Sequence, residues 1–231
     1  MKTVGIIGGI GPESTIDYYR SMIAIYRQES TDGSSPSIVI NSIDMRKAVA
    51  MFEANDLSGV ADYLVGEVGR LAGAGADFGL LSANTPHIVF DEIQRRSPIP
   101  LISIVQATCD AAKARGLKRL GLIGTRFTMQ GRFYADVFSR EGIALCVPEP
   151  GEQDYIHDKY MNELAKGVFL PETRERLLAI VERLDEREKI DGVILGGTEL
   201  PLILRDAEHN GIPFLDTTQI HVKAAVARLL A

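Results

Sequence analysis

The sequence predicts an α/β fold with mainly parallel sheets. Short β-branched runs alternate along the chain with longer stretches in which apolar residues recur every three or four positions. Strands that alternate with helices at this rhythm form parallel sheets covered by helices on both faces. The chain has 231 residues, which is enough for two packed domains.

Each predicted element rests on its own residues. The predicted strands are the apolar, β-branched runs at 3–8, 37–41, 78–82, 100–104, 120–124, 143–147, 192–196 and 213–216. The predicted helices are the amphipathic stretches at 12–28, 58–72, 105–115, 128–141, 171–187 and 218 to the C-terminus. Pro12 suits the first position of the first helix, where Ser14 or Thr15 can satisfy free N–H groups.

A weak sequence similarity within the chain suggests two halves of similar architecture. Residues 75–87 (GADFGLLSANTPH) and 189–201 (KIDGVILGGTELP) both pass from an acidic residue through a buried strand to small residues, Thr and Pro. Ligands bind open α/β sheets at the carboxyl ends of strands, so residues 84–85 and 198–199 are expected to face one cleft. Ordinary strand-to-helix turns with Asn or Thr caps are the alternative. We place the domains at 1–98 plus 214–231 and at 99–213.

Charge and composition exclude several classes of function. The formal net charge is -6 and the pI is about 5.3, so no general basic field is present for nucleic acid or an anionic membrane. The chain contains no apolar run of membrane-spanning length and no leader-like segment, and we expect a cytoplasmic protein. Two cysteines and four histidines without ligand spacing predict neither a disulfide framework nor a metal site.

The glycine-rich stretch near the N-terminus resembles a phosphate loop only in part. Residues 9–14 read GIGPES, so Ser14 stands where a dinucleotide fingerprint has its third glycine. Glu13 places a carboxylate at the positive end of the following helix, where a pyrophosphate would have to bind. The stretch is therefore interpreted as a tight turn whose glycines let a small ligand approach the backbone.

Three segments together resemble the aspartate/glutamate racemase family, whose members are independent of pyridoxal phosphate. They are residues 5–15 (GIIGGIGPEST), 82–87 (SANTPH) and 195–200 (LGGTEL). The resemblance implies two similar Rossmann-like domains with the active site in the cleft between them, a homodimer, an acidic amino acid as substrate and no cofactor. It also implies two thiols, one from each half, that exchange protons on opposite faces of the α-carbon.

Both expected thiol positions lack a thiol in this chain. Ala83 and Gly197 stand there, and neither can carry a proton. Cys109 and Cys146 lie in a helical stretch and an apolar strand, and we interpret them as packed core residues. Isomerase chemistry at Cα is therefore expected to be impaired.

Several other polar residues are predicted to bind the substrate or to assist proton transfer. Thr85 and Thr198, with Asn84, would hold a substrate carboxylate, and Arg46 would clamp a second one. His87 either assists proton transfer or orients its turn, and Glu199 either assists or lies in the first turn of a helix. The full predicted substrate-binding set is Ile10, Gly11, Arg46, Phe52, Asn84, Thr85, Thr125, Lys166 and Thr198.

These observations predict an amino-acid racemase-family protein that binds aspartate or glutamate. Two alternatives stay open at this stage. One is a different acid–base reaction on a small carboxylate in the same cleft, with His87 or Glu199 handling protons. The other is a non-catalytic module that binds an amino acid.

Overall fold

The computed structural model describes residues 2–31 and 33–231, with only the backbone of Met45. It divides into two compact units. The first holds the chain up to Ile104 together with His221–Ala231, and the second holds Val105–Ile220. These divisions fall a few residues later in the chain than the ends at 98 and 213 expected from the sequence.

The first unit contains a four-stranded parallel sheet in the order β2-β1-β3-β4. Its elements in chain order are β1 (Thr3–Gly8), α1 (Pro12–Glu29), β2 (Ser37–Ser42), α2 (Met45–Glu53), α3 (Leu57–Gly73), β3 (Phe78–Leu81), a 3₁₀ turn (Thr85–Val89), α4 (Phe90–Arg96) and β4 (Leu101–Ile102). Strands β1 and β3 are almost wholly buried, as strands of a sheet covered on both faces should be. Their apolar side chains pack with Tyr18 and Met22 of α1.

The second unit contains a five-stranded sheet in the order β6-β5-β7-β9-β8, parallel except for the pair β8 and β9. Its elements are α5 (Ile104–Ala114), β5 (Arg119–Gly124), α6 (Arg126–Gln130), α7 (Arg132–Arg140), β6 (Ala144–Cys146), α8 (Pro150–Asn162), α9 (Pro171–Glu188), β7 (Gly192–Gly196), α10 (Leu200–Ile203), β8 (Glu208–His209) and β9 (Ile212–Asp216). Helix α11 (Thr217–Leu230) begins in this unit and belongs to the first unit from His221 onward. Strand β9 pairs with β7, which is why the second unit extends past residue 213.

The α/β class predicted from the sequence is confirmed, with two sheets of mainly parallel strands. One predicted helix is wrong, because 128–141 is two helices that meet at Gly131. The backbone of Gly131 is extended, and a Cβ there would lie 2.5 Å from the carbonyl oxygen of Phe127. Among the residues that the structure describes, no helix has both the length and the apolar character needed to cross a membrane.

Candidate functional site

The turn after β1 is held by its own hydrogen bonds. Gly9 and Gly11 have φ of 80° and 109°, values that glycine adopts at least cost. The Thr15 hydroxyl accepts a hydrogen bond from the N–H of Gly9 at 2.9 Å and donates to the carbonyl of Gly11 at 3.1 Å. A Cβ on Gly8 would lie 2.5 Å from a methyl carbon of Thr15. The glycines therefore allow the start of α1 to pack closely on the strand end.

Ser14 joins this turn to the segment after β3. Strands β1 and β3 are parallel neighbours, with Ile7 opposite Leu81, so their carboxyl ends lie at one edge of the sheet. The Ser14 hydroxyl lies 2.9 Å from the carbonyl oxygen of Gly11 and 3.2 Å from that of Ser82. The structure thus brings the turn at 9–11 to the start of the segment that holds residues 83–85.

The segment after β3 is buried and is not built as a simple capped turn. Ala83 and Asn84 are both almost inaccessible to solvent, and Thr85 begins the 3₁₀ turn. Within the described part of the chain, the Asn84 side chain makes no capping hydrogen bond to the turn that follows. The same is true of Glu199 at the start of α10. The alternative of two ordinary capped turns is therefore disfavoured.

His87 is a buried, neutral histidine with both ring nitrogens bonded to the backbone. Nε2 accepts a hydrogen bond from the N–H of Ile104 at 3.1 Å, so Nδ1 carries the proton and donates it to the carbonyl of Ala83 at 3.0 Å. Burial, with the nearby His221 ring as a smaller cause, lowers the pKa of His87 to about 3. The geometry favours the orienting role over proton transfer.

His221 of α11 has a similar environment in the same unit. Its Nδ1 lies 2.9 Å from the Tyr18 hydroxyl, and its Nε2 lies 2.9 Å from the carbonyl oxygen of Ile102. Burial lowers the pKa of His221 to about 4. Both histidines are therefore uncharged in the folded chain at neutral pH.

Acid is expected to destabilise the protein through these two histidines. The unfolded chain binds a proton at each below pH of about 6.5, whereas the folded chain does so only near its lowered pKa. The free energy of unfolding should fall by about 1.4 kcal/mol per pH unit for each histidine below that point. Denaturant unfolding at pH of about 7.5 and 5.5 measures the loss. The variant His87→Gln should flatten the slope, and an unchanged slope would contradict this explanation.

Two residues predicted to bind substrate in the first unit lie on α2. The Arg46 side chain is 89% exposed and lies 3.4 Å from Asp44 in an ion pair. Asp44 also caps α2 by accepting a hydrogen bond from the N–H of Arg46 at 3.0 Å. Phe52, near the end of the same helix, is buried. Arg46 is thus directed to solvent, and Phe52 packs in the interior.

Threonines mark the carboxyl edge of the second sheet. Gly124 of β5 lies opposite Gly196 of β7, so the residues that follow, Thr125 and those from 197 to 199, share this edge. The Thr125 side chain caps α6 by accepting a hydrogen bond from the N–H of Thr128. At the next strand, the Thr217 hydroxyl donates to the carbonyl of Leu195 at 2.8 Å. Thr125 and Thr198 were both predicted in the substrate-binding set, and the structure places them at one sheet edge.

The space beside Gly197 is occupied by the ring of Tyr160 from α8. A Cβ at position 197 would lie 2.3 Å from Cε2, 2.9 Å from Cζ and 3.0 Å from the hydroxyl oxygen of Tyr160. Real Cβ atoms do not approach other atoms so closely. Glycine at 197 and tyrosine at 160 therefore fit together as a pair.

Tyr160 also forms a buried polar cluster with the two residues after Gly197. Its hydroxyl donates a hydrogen bond to Oε2 of Glu199, and the Thr198 hydroxyl donates to the same oxygen at 3.0 Å. All three side chains are buried. Burial and the neighbouring Glu199 carboxylate raise the pKa of Tyr160 well above its usual value. Tyr160 remains a hydroxyl donor in this cluster and does not ionise near neutral pH.

A family model described as Asp/Glu/Hydantoin racemase matches residues 7–225. The chain belongs to this family. The match extends over both units, in agreement with the resemblance found in the sequence.

Individual relatives of this racemase-family chain support the same conclusion. The broad specificity amino-acid racemase RacX of Bacillus subtilis (strain 168) is 25% identical over 240 residues, covering 99% of this chain and 98% of the relative. A crystal structure of an aspartate racemase homologue from Pyrococcus horikoshii OT3 is 33% identical with a TM-score of 0.83, covering both chains completely. Glutamate racemase from Francisella tularensis subsp. tularensis SCHU S4, crystallised with D-glutamate, is 15% identical with a TM-score of 0.69, covering 99% and 81%, and shows the shared fold.

Three further residues singled out in this racemase-family chain are Lys166, Cys109 and Cys146. Lys166 is exposed and lies 3.4 Å from the side-chain oxygen of Asn162. Cys109 is fully buried, and the half-buried Cys146 lies 3.6 Å from Glu188. Burial raises the pKa of both thiols. In the ranges 2–31 and 33–231, no group of three His, Cys, Asp or Glu side chains is arranged to hold a metal ion.

Tyr160 is the site residue that sequence reasoning missed, because α8 was not predicted. The local sequence does contain a start signal for this helix. Pro150 occupies its first turn, and Glu149 and Glu152 form a capping box, with the Glu149 N–H 3.2 Å from Glu152. Recognising that signal would have placed Tyr160 on a helix, but its contact with Gly197 needs the tertiary fold.

Proposed function

We propose that this racemase-family chain binds a small acidic amino acid, aspartate or glutamate, acts as a homodimer, and inverts the α-carbon only slowly. The amino acid would be bound by the segments that follow the strand ends, residues 83–85 and 197–199. The observation that carries the proposal is the Tyr160 ring, which fills the space that any side chain at position 197 would need. The packing around position 197 therefore fits a glycine and leaves no room for a cysteine side chain.

The chemistry of inversion explains why the reaction would be slow. One group must remove the Cα proton from one face while another delivers a proton to the opposite face. Ala83 offers only a methyl group, and both nitrogens of His87 are bonded to the backbone. Loss of a positioned acid–base group typically costs about 10² to 10⁴ in rate. Neither Ala83 nor His87 therefore supplies the group that this half of the reaction requires.

The groups that would hold the substrate carboxylates are still present. Asn84 is buried, Thr85 begins the 3₁₀ turn, and Thr198 follows β7 by two residues. Amide and hydroxyl donors of this kind, with backbone N–H groups, suit a carboxylate. Arg46 would have to leave its exposed pair with Asp44 to contribute, and such a pair is weak enough to exchange.

Calorimetric titration with L- and D-aspartate and L- and D-glutamate tests the binding. We expect at least one acid to bind, and Thr85→Val to weaken that binding by about tenfold or more, because hydrogen bonds to charged groups contribute about 1.5–3 kcal/mol. Thr31→Val, at an exposed position, is the matched control and should leave affinity unchanged. If no acid binds even at millimolar concentration, the proposed substrate class is wrong.

A further inference from the structure

We propose that Tyr160 and Glu199 form a proton relay that takes the place of the missing thiol at position 197 and acts on one face of the substrate only. The proposal rests on the proposed function, because it takes the position beside Gly197 to face the α-carbon. The chain would then exchange the Cα proton with solvent while retaining configuration. This is a different outcome from both racemisation and simple binding.

Outside residues 196–198, the Tyr160 hydroxyl is the polar atom closest to where a side chain at 197 would begin. A Cβ there would lie only 3.0 Å from that oxygen. The hydroxyl donates a hydrogen bond to Oε2 of Glu199. The Thr198 hydroxyl, 3.0 Å from the same carboxylate oxygen, helps to hold this acceptor in place. A donor hydroxyl with an adjacent carboxylate is the arrangement expected of a group that passes a proton on.

The relay conserves protons and charge without forming a phenolate. The Cα–H bond breaks, and its proton moves to the Tyr160 oxygen as the phenolic proton moves to Oε2 of Glu199. The electron pair stays on the substrate, delocalised into its α-carboxylate. Tyr160 is neutral before and after the step, which is consistent with the strongly raised pKa that burial and Glu199 impose on it. After the hydroxyl has exchanged with solvent, its deuteron moves to Cα on the same face as Oε2 of Glu199 returns its proton to the Tyr160 oxygen, which restores both side chains.

Ser82, Ala83 and His87, which follow β3, offer no comparable group for the opposite face. Ala83 carries no proton donor, and the Ser82 hydroxyl, 2.9 Å from the carbonyl oxygen of Ile7, donates to the backbone. Both ring nitrogens of His87 are also committed to the backbone. A carbanion formed by the relay is therefore reprotonated from the side it left, and the configuration is kept.

The experiment incubates the full chain in D₂O with each enantiomer of aspartate and glutamate. Proton NMR follows loss of the Cα–H signal, chiral chromatography follows inversion, and calorimetry gives the affinity. We expect deuterium to enter an acid that binds while its enantiomeric ratio stays constant. Tyr160→Phe and Glu199→Gln should each slow the exchange by about 10²-fold or more while affinity changes only a few-fold.

Tyr155→Phe is the matched control, because Tyr155 lies on the same helix and is half-buried outside the cluster. It should exchange at the wild-type rate. Binding without exchange, equal exchange by Tyr160→Phe and wild type, or inversion as fast as exchange would each overturn the relay. Failure of every acid to bind would instead refute the proposed function on which the relay depends, and the relay with it.

Discussion

Replacing Gly197 with cysteine is expected to lower the free energy of unfolding by about 1–3 kcal/mol, the usual cost of overpacking a well-packed core. The reason is the Tyr160 ring, whose Cε2 atom would lie 2.3 Å from the new Cβ. The overlap cannot be relieved cheaply, because Tyr160 is buried and donates a hydrogen bond to Glu199. Urea denaturation of the variant and the wild type measures the difference.

A double-mutant cycle separates this overlap from other effects of the substitution. Tyr160→Leu removes the ring atoms that would collide, so the cost of Gly197→Cys should nearly vanish in that background, giving a coupling of about 1–3 kcal/mol. Gly151→Ala, on the same helix as Tyr160 and with open space around its Cβ, is a control for adding a side chain. If Gly197→Cys costs the same with and without Tyr160, the paired fit of positions 160 and 197 is refuted.

Gly9→Ala is expected to lower the free energy of unfolding still more, by about 2–5 kcal/mol, because two costs add. The backbone of Gly9 has φ of 80°, where a Cβ is strained. The new Cβ would also lie 2.3 Å from the carbonyl oxygen and 2.7 Å from the nitrogen of Ile43, and backbone cannot move aside as a side chain can. Thermal and urea unfolding give the size of the loss.

Gly116→Ala isolates the first of these costs. Gly116 has φ of 73°, and a Cβ there would meet nothing within 4 Å. The free energy of unfolding of this variant should therefore fall only by the backbone strain, about 1–2 kcal/mol. If the two alanine variants are equally stable, close packing of the β1 turn against Ile43 does not explain the glycine at position 9.

The sequence predicted the architecture well where local rules decide it. Pro12 and Pro171 mark the first turns of α1 and α9, and the apolar periodicity carries both helices to within a residue of their observed ends. The break at Gly131 escaped prediction, because apolar periodicity continues across it and only the contact with Phe127 reveals it.

The candidate site could be predicted only as far as strand ends define it. Thr125 and Thr198 follow directly from the rule that ligands bind at the carboxyl ends of parallel strands. Glu199 accepts a hydrogen bond from Tyr160, which lies 39 positions earlier in the chain, so no local pattern connects the two residues. His87 was ambiguous for the same reason, because its hydrogen bond from Ile104 reaches across 17 positions.

We propose that the two strand ends of this family member lack the pair of groups needed to invert an α-carbon. The most direct measurement is the enantiomeric composition of L-aspartate and L-glutamate over time with the unmodified chain, at a concentration shown by titration to saturate binding. We predict that the bound acid keeps its L configuration over the time in which its Cα proton is exchanged in D₂O. Formation of the D form by the unmodified chain as fast as that exchange would contradict the proposal.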